Sequence, residues 1–348
     1  MYLICFGTRP ELIKLIPLIH KFKKANIQFK TLFSGQHENL IQDFYKYIDY
    51  PDYIFKNIME HGQTLNKLAG KIINNMDELY DKELVTNIIV QGDTTTAFTI
   101  ALSAFHRQIK IIHLEAGLRT NNKHSPFPEE LNRRMISQLC DVHLCPTKIS
   151  INNLQNEKIT KNVYLVGNTI VDMYEYILKN TVPNQEIQNI IQNYKDYILV
   201  TLHRRENRGE KINSMWKQLN ELSSKYKFIY ITHPSLPNSK NILDDNNIII
   251  LEPQNYESMV HLIYNSKGII TDSGGLQEEA VCANKKVLVC RDTTERPETI
   301  DCGLGKLIDT QIIENIPFFN EVTNYIIDNP YGNNVCEKIL EKIKRTNM

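Results

Sequence analysis

Three carboxylates stand where apolar stretches or a proline-fixed loop give out. Asp93 follows the run Ile88–Val90 in IIVQGDTTT, Glu115 follows Ile111–Leu114 in IIHLEAGLRT, and Glu129 follows Pro126 and Pro128 in SPFPEELNRR. A short continuous apolar run reads as a buried strand. A strand that ends in an acid beside Gly92, or beside Ala116 and Gly117, leaves room around that acid. Clustered acids raise one another's pKa, which suits groups that exchange protons near neutral pH. Plainer roles are open as well. Asp93 can cap a helix that starts in the following Thr run, and Glu115 can be a buried acid paired to Arg119 or Arg133, the latter on the next helix.

Two further stretches suit phosphate. In GTRPELIKL, Gly7 permits a tight turn, Pro10 suits the first position of a helix, Arg9 sits at its start and Lys14 about one turn in. A helix N-terminus flanked by cations is a natural anion site. In TDSGGLQEEA, Ser273, Gly274 and Gly275 open another helix with unobstructed N–H groups. Glu278 and Glu279 are placed in its first turn, where one can accept from ribose hydroxyls. Either loop alone is an ordinary strand–turn–helix, but a matching loop in each half of the chain suggests a bound diphosphate. His203 in LVTLHRREN ends a strand and can neutralise or protonate a departing phosphate. Arg296 in RDTTERPE is a further phosphate or carboxylate ligand, or else part of a solvated loop.

The elements that must position these groups alternate between short apolar strands and helical patterns. Strands are expected near Tyr2–Cys5, Phe29–Phe33, Ile88–Val90, Ile111–Leu114, Val142–Leu144 and Val163–Val166. A second series lies near Tyr197–Leu202, Phe228–Thr232, Ile248–Leu251, Gly268–Thr271 and Val287–Cys290. Alternation of this kind predicts an α/β fold of two doubly wound, Rossmann-like domains facing across a cleft, with ligands at the carboxyl ends of the strands. The domains are placed at residues 1–168 and 169–332. The polar stretch Asn180–Asn193, with Pro183, reads as a surface connection. After Gly332, Val335, Ile339, Leu340 and Ile343 share one face of a final helix.

Bulk properties narrow the function. Lys+Arg and Asp+Glu are both 40, so the formal charge is zero and neither nucleic acid nor a membrane surface is a favoured partner. The seven cysteines are scattered without a CxxC, as in a reduced cytoplasmic protein, and no metal site is expected. MYLICF meets Gly7 and Arg9 too soon to be a signal peptide. No apolar run approaches the roughly 20 residues of a membrane helix.

Taken in order, GTRPELIKL, GDTTT, HLEAGLRT, SPFPEELNR, HRREN, TDSGGLQEE, RDTTERPE and NPYG resemble the motif series of the non-hydrolysing UDP-N-acetylglucosamine 2-epimerases, from Tyr2 to the last helix. The resemblance implies a glycosyltransferase-B-like fold, with helix 333–348 packing back on the first domain, and a homodimer. It implies reversible conversion of UDP-N-acetylglucosamine to UDP-N-acetylmannosamine for surface polysaccharide or glycan precursors, with no cofactor. UDP leaves carbon 1 as a base takes the carbon 2 proton, and re-addition to the 2-acetamidoglucal delivers a proton on the opposite face. By motif position, Asp93, Glu115, Glu129 and His203 are catalytic. Arg9, Lys14, Arg133, Ser273, Gly274, Gly275, Glu279 and Arg296 bind substrate. Gln36, Gln63 and His233 match a second, regulatory nucleotide-sugar site, which Asn39 and the altered HPSLPN segment change. Leu202 also departs from the family pattern, which often has Gly or Ala there. Alternatives are an epimerase of a sugar modified at carbon 3 or 6, a hydrolysing epimerase, a glycosyltransferase of the same fold and a nucleotide-sugar sensor.

Overall fold

The computed structural model describes residues 1–36, 41–236, 239–243, 247–321 and 328–346. The chain divides into two compact units, Met1–Met173 with Tyr331–Met348, and Tyr174–Pro330.

In the first unit seven strands form one parallel sheet: β1 (Tyr2–Phe6), β2 (Phe29–Phe33), β3 (Tyr53–Ile54), β4 (Asn87–Gln91), β5 (Lys110–Leu114), β6 (Val142–Cys145) and β7 (Val163–Leu165). Their order is β3-β2-β1-β4-β5-β6-β7. The chain winds outward from β1 in one direction and from β4 in the other, so β1 and β4 flank the topological switch point, where ligands of such sheets bind. β4 is buried at every residue, and Leu3, Ile88, Val90 and Ile111 pack with Ile72, Met76, Ile100 and Ala101 of the covering helices. Burial on both faces explains why these strands read as continuous apolar runs.

The final helix Val335–Thr346 belongs to this unit. The Asp172 carboxylate caps it by accepting from the amides of Val335 (3.0 Å) and Cys336 (2.7 Å). It packs on the helix Arg9–Lys24, where Lys21 pairs with Glu337.

Among the described residues of the second unit, six strands, β8 (Ile198–Thr201), β9 (Phe228–Ile231), β10 (Ile248–Leu251), β11 (Gly268–Thr271), β12 (Lys286–Val289) and β13 (Gly305–Leu307), form a parallel sheet. Their order is β10-β9-β8-β11-β12-β13. The switch point falls between β8 and β11. Trp216, Leu219, Tyr230 and Ile270 lie in its core.

The stretch Asn180–Asn193, read as a surface connection, contains a helix, Gln185–Asn193. Asn184 caps it by accepting from the Ile187 amide, and Ile187 is fully buried. The three isoleucines Ile187, Ile190 and Ile191 lie at helical spacing within a polar composition that hides them. The strands β3 and β13, short and at the sheet edges, carry too few apolar residues to be read from sequence.

Candidate active site

The first unit gathers its acids at the carboxyl edges of β4 and β5. Beyond β4 the chain turns at Gly92, φ +71°, and enters the helix Thr95–His106. Thr94, not Asp93, caps that helix, its hydroxyl accepting from the Ala97 amide. The Asp93 side chain is therefore available to the helix Glu129–Leu139. Its Oδ2 accepts from Nε (2.9 Å) and a terminal nitrogen (2.5 Å) of Arg133, and its backbone carbonyl accepts from Asn132 (2.9 Å).

Glu115 ends β5 with φ +63°. A left-handed backbone at a non-glycine residue costs on the order of 1–3 kcal/mol and persists only where the surroundings enforce it. Here Lys14 Nζ reaches both carboxylate oxygens (2.8 and 2.7 Å) and the Gln91 amide donates to one of them. Lys14 and Glu115 side chains are only 9% and 8% exposed. An ammonium and an amide held at this depth stabilise the ionised carboxylate. A cavity of about 10 Å³, room for roughly one water, lies behind it, lined by Gln91, Glu115, Asn168, Thr169 and Ile339 among others.

Glu129 is half-buried at the first position of its helix, where the dipole favours negative charge. Its neighbour Glu130 is fully buried and structural, accepting from Arg133, Arg134 and the amides of Thr120 and Asn121. Arg119 pairs with Glu157 and takes no part with Glu115. The acids are thus held by separate cations, Lys14 for Glu115 and Arg133 for Asp93.

The GTRPELIKL loop is also occupied differently from the expectation. The Glu11 carboxylate accepts from the amides of Gly7 (2.9 Å) and Thr8 (2.7 Å) and from the hydroxyls of Thr8 and Thr94. Burial pushes the Glu11 carboxyl up, and those hydrogen bonds oppose the shift. The helix N-terminus therefore carries its own acid, and Lys14 serves Glu115. Arg9 remains, half-buried, with its guanidinium 5.6 Å from the Phe44 ring.

The second unit gathers cations and N–H groups at the edges of β8 and β11. Asp272, fully buried after β11, organises them. Its carboxylate accepts from the amides of His203 (3.0 Å) and Arg204 (2.9 Å) and from Asn207 (3.0 Å), with His203 Nδ1 at 3.4 Å. His203 stacks on His233, ring centroids 4.8 Å apart. Burial and the neighbouring His203 hold His233 below the ordinary imidazole value.

Ser273 holds the N-cap position of the helix Gly274–Cys282 without a side-chain capping bond, and Gly275 is exposed beside it. Arg296 lies against this N-terminus: a Cβ on Gly274 would come within 2.5 Å of its guanidinium. A cation at the positive end of a helix is unfavourable. Glu278 (2.7 Å) and Glu295 offset it, and Arg291 completes the network on Glu295 (2.8 Å). Burial works against the charged form of Glu295, but Arg296 and Arg291 outweigh it and hold its carboxyl well below the usual range. A guanidinium fixed over free helix amides is arranged for an anion. Glu278 and Glu279 lie in the second turn of this helix, not the first, because the helix begins at Gly274. Glu279 is buried, and its charge adds to burial in pushing the Tyr256 phenol up.

Of the regulatory set, Gln36 accepts from Thr96 (2.8 Å) and Gln63 from the Glu60 amide (2.7 Å). Asn39, with Pro237 and Asn238 of HPSLPN, lies outside the described residues. Among the described residues no cluster of His, Cys, Asp or Glu could hold a metal ion, and no helix is long and apolar enough to cross a membrane. Sequence reasoning missed Gln91, Asn132, Asp272 and Glu295. Asp272 had a signal, a carboxylate directly between strand β11 and the SGG turn.

Known proteins resemble the chain in sequence and in fold. The sequence model of the UDP-N-acetylglucosamine 2-epimerase family matches residues 20–344. A UDP-N-acetylglucosamine 2-epimerase of Neisseria meningitidis is 38% identical over 97% of both chains. A crystal structure of the Neisseria meningitidis enzyme bound to UDP-GlcNAc superposes with TM-score 0.87 at 36% identity, covering 99% of each chain. The Methanocaldococcus jannaschii enzyme, in complex with UDP-GlcNAc and UDP, superposes with TM-score 0.86 at 33% identity, covering 99% of this chain and 100% of its own. The chain, with acids at one parallel-sheet edge and an anion-ready helix N-terminus at another, belongs to the UDP-N-acetylglucosamine 2-epimerase family.

Proposed function

We propose that the protein interconverts UDP-N-acetylglucosamine and UDP-N-acetylmannosamine without hydrolysis. Carbon 2 carries no adjacent carbonyl, so its proton leaves only as another bond breaks. A carboxylate takes the proton, the bond from carbon 1 to the diphosphate oxygen breaks, and a double bond forms between carbons 1 and 2. UDP then re-adds at carbon 1 while an acid protonates carbon 2 from the opposite face. Two proton-handling groups are needed, with an anion site for the departing UDP.

One observation carries the reading: Glu115 and Asp93 end adjacent strands, each with its own cation, Lys14 and Arg133. Lys14 pairs with Glu115, and Glu129 is the third acid. Arg9, His203, Ser273–Gly275 and Arg296 stabilise the diphosphate, and Glu279 serves the ribose. We further assign a cytoplasmic location, supported by seven free cysteines. We also assign a homodimer, supported by Phe127, Leu131 and Met135, which are exposed at spacings of four residues.

The test is incubation with UDP-N-acetylglucosamine in deuterated water, followed by NMR. Both epimers should acquire deuterium at carbon 2, with the gluco form predominant. Epimerisation without solvent label would exclude elimination, and free N-acetylmannosamine as the main product would indicate hydrolysis.

A further inference from the structure

Two histidines with no part in the proposed proton transfers sit inside the first unit's sheet. His113 on β5 and His143 on β6 are direct cross-strand neighbours, 0% and 2% exposed. His113 Nε2 lies 2.7 Å from the carbonyl oxygen of Gly92, and His143 Nε2 lies 2.9 Å from that of Ser137. A carbonyl can only accept, so each ring carries its proton on Nε2 and leaves Nδ1 as an acceptor. Among the described residues neither Nδ1 has a partner. A buried acceptor without a donor is a net cost to folding, and an apolar side chain would avoid it. What each histidine supplies in return is one N–H aimed at one carbonyl. Burial holds both rings below the ordinary imidazole value, His113 down to about 3.

Both carbonyls bear on the acid site. Gly92 immediately precedes Asp93, in the left-handed turn that aims its side chain. Ser137 lies one turn after Arg133 in the helix Glu129–Leu139, and its hydroxyl donates to the Arg133 carbonyl (2.8 Å). One histidine thus pins the turn that bears Asp93, and its neighbour pins the helix that bears Arg133. We infer that His113 and His143 are positioning residues that fix the Asp93–Arg133 pair from within the sheet. The inference rests on the role proposed above for Asp93.

The test compares His113→Gln with His113→Asn in the full chain, with UDP-N-acetylglucosamine as substrate and Asp93→Asn in parallel. A glutamine amide nitrogen reaches about as far as Nε2, whereas that of asparagine stops near Nδ1. Both variants are polar, and only glutamine can keep the bond to Gly92. His113→Gln should hold kcat within about threefold of wild type. His113→Asn should lose about 10- to 100-fold in kcat per folded molecule, since a misplacement of about 1 Å costs up to that much, with KM little changed. If His113→Asn does not fold, His143→Gln and His143→Asn carry the same comparison through Ser137. Equal kcat in the glutamine and asparagine variants, with Asp93→Asn inactive, overturns the inference alone. Near wild-type turnover in Asp93→Asn overturns the catalytic assignment and the inference with it.

Discussion

Replacing Asp272 by asparagine should damage both the stability and the chemistry of the second unit. The carboxylate is fully buried, and its Oδ2 accepts from the amides of His203 and Arg204 and from Asn207, at 2.9–3.0 Å. Asparagine can keep an oxygen at that place, but the three bonds become neutral. A hydrogen bond to a charged group contributes about 2 kcal/mol and a neutral one about 1, so the variant loses roughly 3 kcal/mol over three bonds. Against a total of about 5–15 kcal/mol the protein still folds. The other position matters for catalysis. Asp272 Oδ1 lies 3.4 Å from His203 Nδ1 and so orients the ring. An amide NH2 in its place removes the negative charge that faces the ring, and kcat should fall by about 10²-fold, as for a misplaced group. The only tryptophan, Trp216, is buried in this unit and donates to Tyr230 (3.1 Å), so its fluorescence during urea unfolding reports this unit's stability. An unchanged urea midpoint together with kcat within about twofold of wild type would refute the structural role of Asp272.

Glu115→Gln, Asp93→Asn and Glu129→Gln should each lower kcat by about 10²-fold or more while circular dichroism stays native; three folded variants with ordinary turnover would make the acids structural. Glu295→Gln should cost about 3 kcal/mol at pH 7, because it leaves Arg291 and Arg296 short of a buried partner. Since the folded-state pKa of Glu295 is lowered, its contribution is present above the unfolded value of about 4.3 and is lost as pH falls below it. The gap between wild type and variant should therefore narrow from pH 5 toward pH 3, and a constant gap would contradict the charge assignment. Epimerisation begun from purified UDP-N-acetylmannosamine should start without a lag, as expected of a weakened regulatory site; a long lag abolished by a trace of UDP-N-acetylglucosamine would show that site intact.

The α/β fold was legible because a strand buried on both faces is a continuous apolar run, and Ile88–Val90 or Ile269–Ile270 admits no other economical reading. Glu115 was legible because a carboxylate at the end of such a run is unusual. The charges around it were not. Lys14 is 101 residues from Glu115 and stands near a helix N-terminus, so a local reading gives it to a phosphate. The same stretch held the contrary signal: Thr8 and Glu11 have the T-x-x-E spacing of a capping box, which announces that the helix start provides its own anion. Asp272 and His203, 69 residues apart, sit in two motifs that sequence treats as separate. In each case the deciding fact is sheet order. β1 lies beside β4, which lies beside β5, so the helix after β1 delivers Lys14, β4 delivers Gln91 and β5 delivers Glu115 to one edge. A sequence names the acid at a strand end. Its ionisation depends on the groups that neighbouring strands bring beside it, and those follow from the order in which the chain winds.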